Sequence, residues 1–175
     1  MKKILREILS TSIYLLVVLL VTYLIVKYVG VRTVVIGPSM QPTLYDGDNL
    51  ITEKLSYRFG EPERFDVIVF PFKHAERTYY IKRIIGLPGE TIQIDGEGNI
   101  FINGEILEEH YGKEVIKNPG LASEAIHLGS NEYFVLGDNR NNSSDSRDPS
   151  VGNIYRKDII GKAWIRFWPS FYKLK

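Results

Sequence analysis

Residues 12–29 read SIYLLVVLLVTYLIVKYV, and the character of this stretch divides the chain in two. It is apolar almost throughout and close to the minimum for a membrane-spanning helix, roughly 17–25 residues. Lys27 lies near one end, where its long stem can carry the charge to an interface. Tyr23 and Tyr28 can anchor the same end. Lys2, Lys3 and Arg6 precede the run and resemble the charged start of a cleavable export signal. Two features favour an uncleaved anchor. The run exceeds the roughly 7–15 residues of an export-signal core, and no small-x-small cleavage site follows it. The first alanine in the chain is Ala75. The excess of basic residues on the short side places that side in the cytoplasm. The expected organisation is therefore a cytoplasmic N-terminus over 1–11, a transmembrane signal anchor over 12–29, and an extracytoplasmic domain over 30–175.

Beyond the anchor the pattern turns to short apolar or alternating runs. They cover Arg32–Ile36, Asn49–Lys54, Asp66–Phe72, Thr78–Ile85, Thr91–Ile94, Ile100–Ile102, Glu132–Leu136 and Ile159–Phe167. Asn103-Gly104 between Ile102 and Ile106 is a strong hairpin signal, and Asp95–Asn99 reads as a longer hairpin connection. No long helical periodicity follows the anchor, and the best helical candidate is the short stretch Leu55–Phe59. The expected fold is mostly β: a folded antiparallel sheet or partly closed barrel, preceded by one N-terminal transmembrane helix.

Composition narrows the chemistry. With 175 residues, 44% apolar and 25% charged, the chain can bury a core and is not of disordered type. A net charge of +1 gives no overall field for nucleic acid. The absence of cysteine excludes disulfides, a thiol nucleophile and Cys-ligated metal. His74, His110 and His127 are scattered and match no metal-ligand spacing, so no metal and no cofactor are expected.

Three segments carry candidate chemistry. In Gly37-Pro38-Ser39-Met40-Gln41-Pro42-Thr43-Leu44, glycine and two prolines fix an irregular backbone around a small hydroxyl. Such a loop can present Ser39 and aim backbone N–H groups at one point, although taken alone Ser39 reads as a turn serine. A hydroxyl nucleophile needs a base. No histidine lies in a comparably constrained segment, which leaves lysine. Lys82 sits in the apolar run Thr78–Ile85, with Tyr80, Lys82 and Ile84 on one face and Ile81, Arg83 and Ile85 on the other. If its face is buried, desolvation lowers its pKa and a neutral amine can accept a proton; in isolation it reads as a solvent-facing lysine. The third segment, Leu136–Arg147, follows a predicted strand and is dense in hydroxyls and charges. It reads either as a solvated loop or as a site element in which a hydroxyl orients the lysine and Asp145 pairs with Arg147.

Together these segments resemble the bacterial type I signal peptidases, the leader peptidase family. The carrying residues are Ser39-Met40-Gln41-Pro42-Thr43-Leu44, Arg64–Val69, Tyr80–Glu90, and Gly137-Asp138-Asn139-Arg140 with Ser143, Asp145, Ser146 and Arg147. The likeness spans about residue 36 to 152, and the anchor extends it. It implies a membrane-bound serine endopeptidase that cleaves signal peptides from exported preproteins, with Ser39 as nucleophile and Lys82 as general base. It further implies that Ser143 hydrogen-bonds the lysine, that Asp145 and Arg147 form a supporting ion pair, and that the Ser39 backbone N–H serves the oxyanion hole. Some family members carry a serine two residues before the nucleophile; here that position is Gly37, whose own N–H, or a water, is the candidate second donor. A glycine there with a single anchor is similar to the Gram-positive form. The implied substrates have small residues at −1 and −3, and Val34, Ile36, Ile81 and Ile84 are candidate pocket walls. The implied location is the plasma membrane, with the lipid bilayer as a second partner. Two other readings stand beside this one: a non-catalytic anchored β module that binds an extracytoplasmic partner, and a different Ser/Lys enzyme.

Overall fold

The structure, a computed structural model, describes residues 2–174; the expectations for Met1 and Lys175 lie outside the described residues. Helix α1 spans Lys2–Leu24, and Ile25–Val29 continues it as a π-helical turn. Residues 2–11 are mostly good helix formers, so the helix extends to the N-terminal side of the apolar run. The stretch Lys3–Tyr28 is long and apolar enough to cross a membrane, and none of it is buried against the rest of the chain.

Strand β1 (Gly30–Val34) begins directly after the helical segment, with no linker between them. The strands that follow are β2 (Asn49–Glu53), β3 (Val67–Pro71), β4 (Tyr79–Gly86), β5 (Thr91–Ile94), β6 (Ile100–Ile102), β7 (Glu105–Ile106), β8 (Ile126–His127), β9 (Glu132–Leu136), β10 (Ile154–Tyr155), β11 (Gly161–Trp168) and β12 (Tyr172–Lys173). A single-turn helix α2 (Ser56–Phe59) follows β2. Every expected strand is present within two residues of its expected bounds. The additions β7, β8, β10 and β12 are two residues long each, too short for periodicity to mark.

The larger sheet runs β1-β2-β11-β3-β4-β9-β10, with β12 also paired to β11. All its pairings are antiparallel. Among the described residues its end strands β1 and β10 do not pair, so the sheet is folded and open; of the two expected forms, the barrel is not the one adopted. A smaller sheet, β7-β6-β5-β8, is built from the two hairpin signals, with Asn103-Gly104 turning β6 into β7.

Three apolar clusters hold these layers together. Ile85, Ile92, Ile100, Leu128, Phe134 and Leu136 join the smaller sheet to β4 and β9. Ile68, Phe70, Ile84, Tyr133 and Val135 fill one face of the larger sheet. Met40, Leu44, Leu50, Val67 and Ala163 fill the third, beneath the loop that carries Ser39.

Candidate active site

Lys82 lies in β4 opposite Ile68 of β3 and is only 3% exposed. Its Nζ is 2.8 Å from Ser39 Oγ, and it donates to Ile81 O at 2.9 Å. Burial disfavours the ammonium form and pushes the lysine down to about 8, against the opposing pull of the Asp145 and Asp138 charges. Near neutral pH a useful fraction of the amine is therefore uncharged and able to accept a proton.

The Ser39 loop is fixed from below and from one side. Met40 and Leu44 are completely buried and act as plugs into the third cluster. Asn139 reaches across from the last motif: its N–H donates to Ser39 O at 3.0 Å and its side-chain amide to Pro38 O at 3.1 Å. Gly137 permits this approach. A Cβ there would lie 2.6 Å from Ser39 O and 2.2 Å from Ser143 Oγ, closer than side-chain atoms tolerate.

A buried ionic tie joins the three sequence segments. Arg83 donates to both carboxylate oxygens of Asp138, through Nε at 2.9 Å and Nη2 at 2.7 Å. Thr43, in the serine loop, donates its hydroxyl to the same carboxylate. The Arg83 guanidinium also lies 3.7 Å from the centre of the Tyr111 ring. The bidentate geometry satisfies a charge that would otherwise be costly to bury.

The loop after β9 folds on its own carboxylate. Asp145 accepts from Arg147 Nε at 2.8 Å and Nη2 at 2.9 Å, and from the Gly137 N–H at 3.0 Å. The pair is buried on both sides. Ser143 Oγ is buried but has no hydrogen-bond partner among the described residues. The bond to Lys82 that the resemblance implies is not made in this structure; the amine bonds instead to Ser39 Oγ and Ile81 O.

The two expected backbone donors separate. The Ser39 N–H donates to no acceptor among the described residues. Gly37 instead adopts φ +87, and its N–H donates to Asp46 Oδ1 at 2.8 Å. In this structure the Gly37 N–H, the candidate second donor, is engaged by the Asp46 carboxylate, where it holds the turn.

An open cleft of about 1010 Å³ surrounds the pair. It is lined by Val31–Ser39, from β1 and the loop after it, by Tyr79–Lys82 of β4, and by Asn141–Ser144. Val34, Ile36 and Ile81 line it. Ile84 does not: it lies two residues beyond Lys82, where β9 covers β4, and it is completely buried in the second cluster.

A serine hydroxyl beside a buried, partly neutral lysine in an open cleft, on a domain tethered to a membrane helix, defines a class of anchored hydrolase. The sequence model of the family described as signal peptidase, peptidase S26, matches residues 6–168. The signal peptidase I of Leptolyngbya laminosa is 42% identical over 158 residues, which cover 83% of this chain and 75% of that one. The signal peptidase I P of Bacillus subtilis subsp. natto is 35% identical over 162 residues, covering 89% and 86%. A crystal structure of a signal peptidase I from Enterococcus faecalis, 33% identical, aligns with a TM-score of 0.49 over 58% of this chain and 96% of that one. The chain belongs to the signal peptidase family of membrane-anchored serine endopeptidases.

The residue-by-residue reading assigned no task to Asn139, Asp138, Thr43 or Arg83. For Arg83 a signal existed: an arginine inside an apolar strand needs a buried carboxylate, and Asp138 directly follows another apolar strand. For Asn139 none did, because its partners are backbone carbonyls 100 residues away in the chain.

Proposed function

We propose that this protein cuts N-terminal signal peptides from exported preproteins at the outer face of the plasma membrane. Ser39 Oγ attacks the scissile carbonyl while Lys82 takes its proton. Lys82 then returns the proton to the departing amine, and the signal peptide remains as an ester on Ser39. Lys82 next removes a proton from water, which hydrolyses that ester and restores the serine. The observation that carries this reading is the 2.8 Å contact between Ser39 Oγ and the amine of a buried lysine.

The supporting residues fit the sequence. Asp145 and Arg147 brace the loop that carries Ser143 and Asn139. Ser143 Oγ, unpartnered beside the cleft, is the hydroxyl that receives the Lys82 amine when Ser39 turns to substrate. The Ser39 N–H is the backbone donor for the oxyanion. Val34, Ile36 and Ile81 form shallow apolar walls suited to small side chains at −1 and −3. The basic residues Lys3 and Arg6 hold the short end of α1 in the cytoplasm.

The test uses the full chain in lipid vesicles with a preprotein, and mass spectrometry of the products. Ser39→Ala, Lys82→Ala and Lys82→Arg are each expected to leave the preprotein uncut, the last because arginine keeps its proton. Near-parental cleavage by any of the three overturns the Ser/Lys assignment.

A further inference from the structure

The cleft around Ser39 is one-sided in charge. Besides Lys82 its lining carries Arg32, Lys54 and Arg77, and it includes no aspartate or glutamate. None of these three takes part in an ion pair among the described residues. Arg32 donates from Nε to the neutral amide oxygen of Asn49 at 2.9 Å. The carboxylates nearby are already engaged. Glu53 accepts the Ser56 N–H, Asp46 accepts the Gly37 N–H, and Asp48 pairs with Arg166. Asp138 and Asp145 are buried against Arg83 and Arg147.

Topology gathers the three cations at one end of the sheet. The successive antiparallel pairings β1-β2-β11-β3-β4 make β1 and β4 run in the same direction. Arg32 precedes Ser39 by seven residues and Arg77 precedes Lys82 by five. Lys54 directly follows β2, whose last residue, Glu53, lies opposite Gly30, the first of β1. All three therefore lie toward the end at which β1 leaves the anchor, on the order of 15–25 Å along their strands from the reacting pair. A substrate with its scissile bond at Ser39 and its signal segment in the bilayer passes them with residues about five to seven positions before the cut.

We infer that Arg32, Lys54 and Arg77 form a subsite for carboxylate side chains in the stretch of signal peptide ahead of the cut, so that the enzyme favours acidic residues there and disfavours basic ones. The inference rests on the peptidase reading above. A glutamate at this place meets cations that have no carboxylate of their own. A lysine adds a like charge that nothing in the cleft offsets. Discrimination of this kind is electrostatic, so it weakens as salt screens the charges.

The experiment uses the full chain in a neutral detergent, where no lipid charge contributes. Three signal-peptide substrates differ only in carrying Glu, Gln or Lys at position −6. The readout is the ratio of kcat/KM for the Glu and Lys peptides, which a general loss of activity does not move. For the parent enzyme it is expected to be about tenfold at about 0.1 M salt. At about 1 M salt, where screening acts beyond roughly 3 Å, it is expected to fall within about threefold. The variant Lys54→Glu/Arg77→Glu is expected to reverse the order and cut the Lys peptide faster. Moving the charge to +3, across the cut, is expected to change the parental rate less than about twofold, because the cations lie on the other side. A parental ratio near one overturns the subsite, and this result needs no variant. So does a charge-reversed enzyme that keeps the parental ratio, or an equal effect at +3. A ratio near one together with stimulation by added phosphatidylglycerol gives the three cations to lipid headgroups, and also overturns the carboxylate subsite. Failure of the parent to cut any of the three peptides sinks the peptidase reading and the subsite with it, whereas cutting all three alike sinks the subsite alone.

Discussion

On the proposed mechanism, Lys82 is a residue through which pH acts on both rate and stability. Its folded pKa lies at about 8 and its ordinary value is 10.5, with burial as the leading cause. Only the neutral amine accepts the serine proton, so the cleavage rate is expected to climb with pH through about 8 and then level. A profile flat between pH 6 and roughly 9 contradicts a titrating lysine. For stability the sign is set by proton uptake. Between about 8 and 10.5 the unfolded lysine holds its proton while the folded one has lost it, so stability rises with pH across that window. Below it the burial penalty is present in full, about 3 kcal/mol before the bonds to Ser39 and Ile81 offset it. Lys82→Met is thus expected to lose activity yet melt a few degrees higher at pH 7, as read by calorimetry. Gly137→Ala acts by geometry instead. Its methyl group displaces Ser39 O or Ser143, and kcat is expected to fall roughly 100-fold, with a smaller change in KM.

The elements meet at Arg83 and Asp138, where β4, the loop after β9 and the serine loop share one buried tie. Removing one member leaves the other charged and buried without it. Arg83→Met and Asp138→Asn are each expected to destabilise by about 3–5 kcal/mol in urea unfolding. The double variant Arg83→Met/Asp138→Asn should lose less than the sum, and strict additivity would show that the two do not act as a pair. This tie also marks where the sequence stops being readable. The strands of the hairpins, the anchor and the apolar run around Lys82 follow from local spacing, turn residues and the likeness of short motifs. The burial of Lys82, the Asp46 carboxylate that takes the Gly37 N–H, and the grip of Asn139 on Pro38 O depend on contacts between distant segments. Periodicity is blind to these. Ile84 shows the same limit: its face was legible, but its cover by β9 was not.

At the scale of the whole molecule the anchor and the sheet divide the labour. None of the three apolar clusters draws a residue from α1, so a chain lacking residues 2–29 is expected to stay folded and to cut a short soluble peptide at the parental rate. Against a vesicle-bound preprotein it should lose about 100-fold or more, since shared tethering no longer raises the effective concentration. Equal rates on both substrates would show that the anchor contributes nothing to substrate encounter. The position of β11 has a different consequence. It is made late, at residues 161–168, yet it lies between β2 and β3, with Ser39 and Lys82 both encoded earlier. During synthesis Ser39 and Lys82 therefore leave the ribosome while the gap between β2 and β3 is still open. A chain stopped before residue 161 lacks the strand that joins β2 to β3, the partner of the strand that carries Lys82.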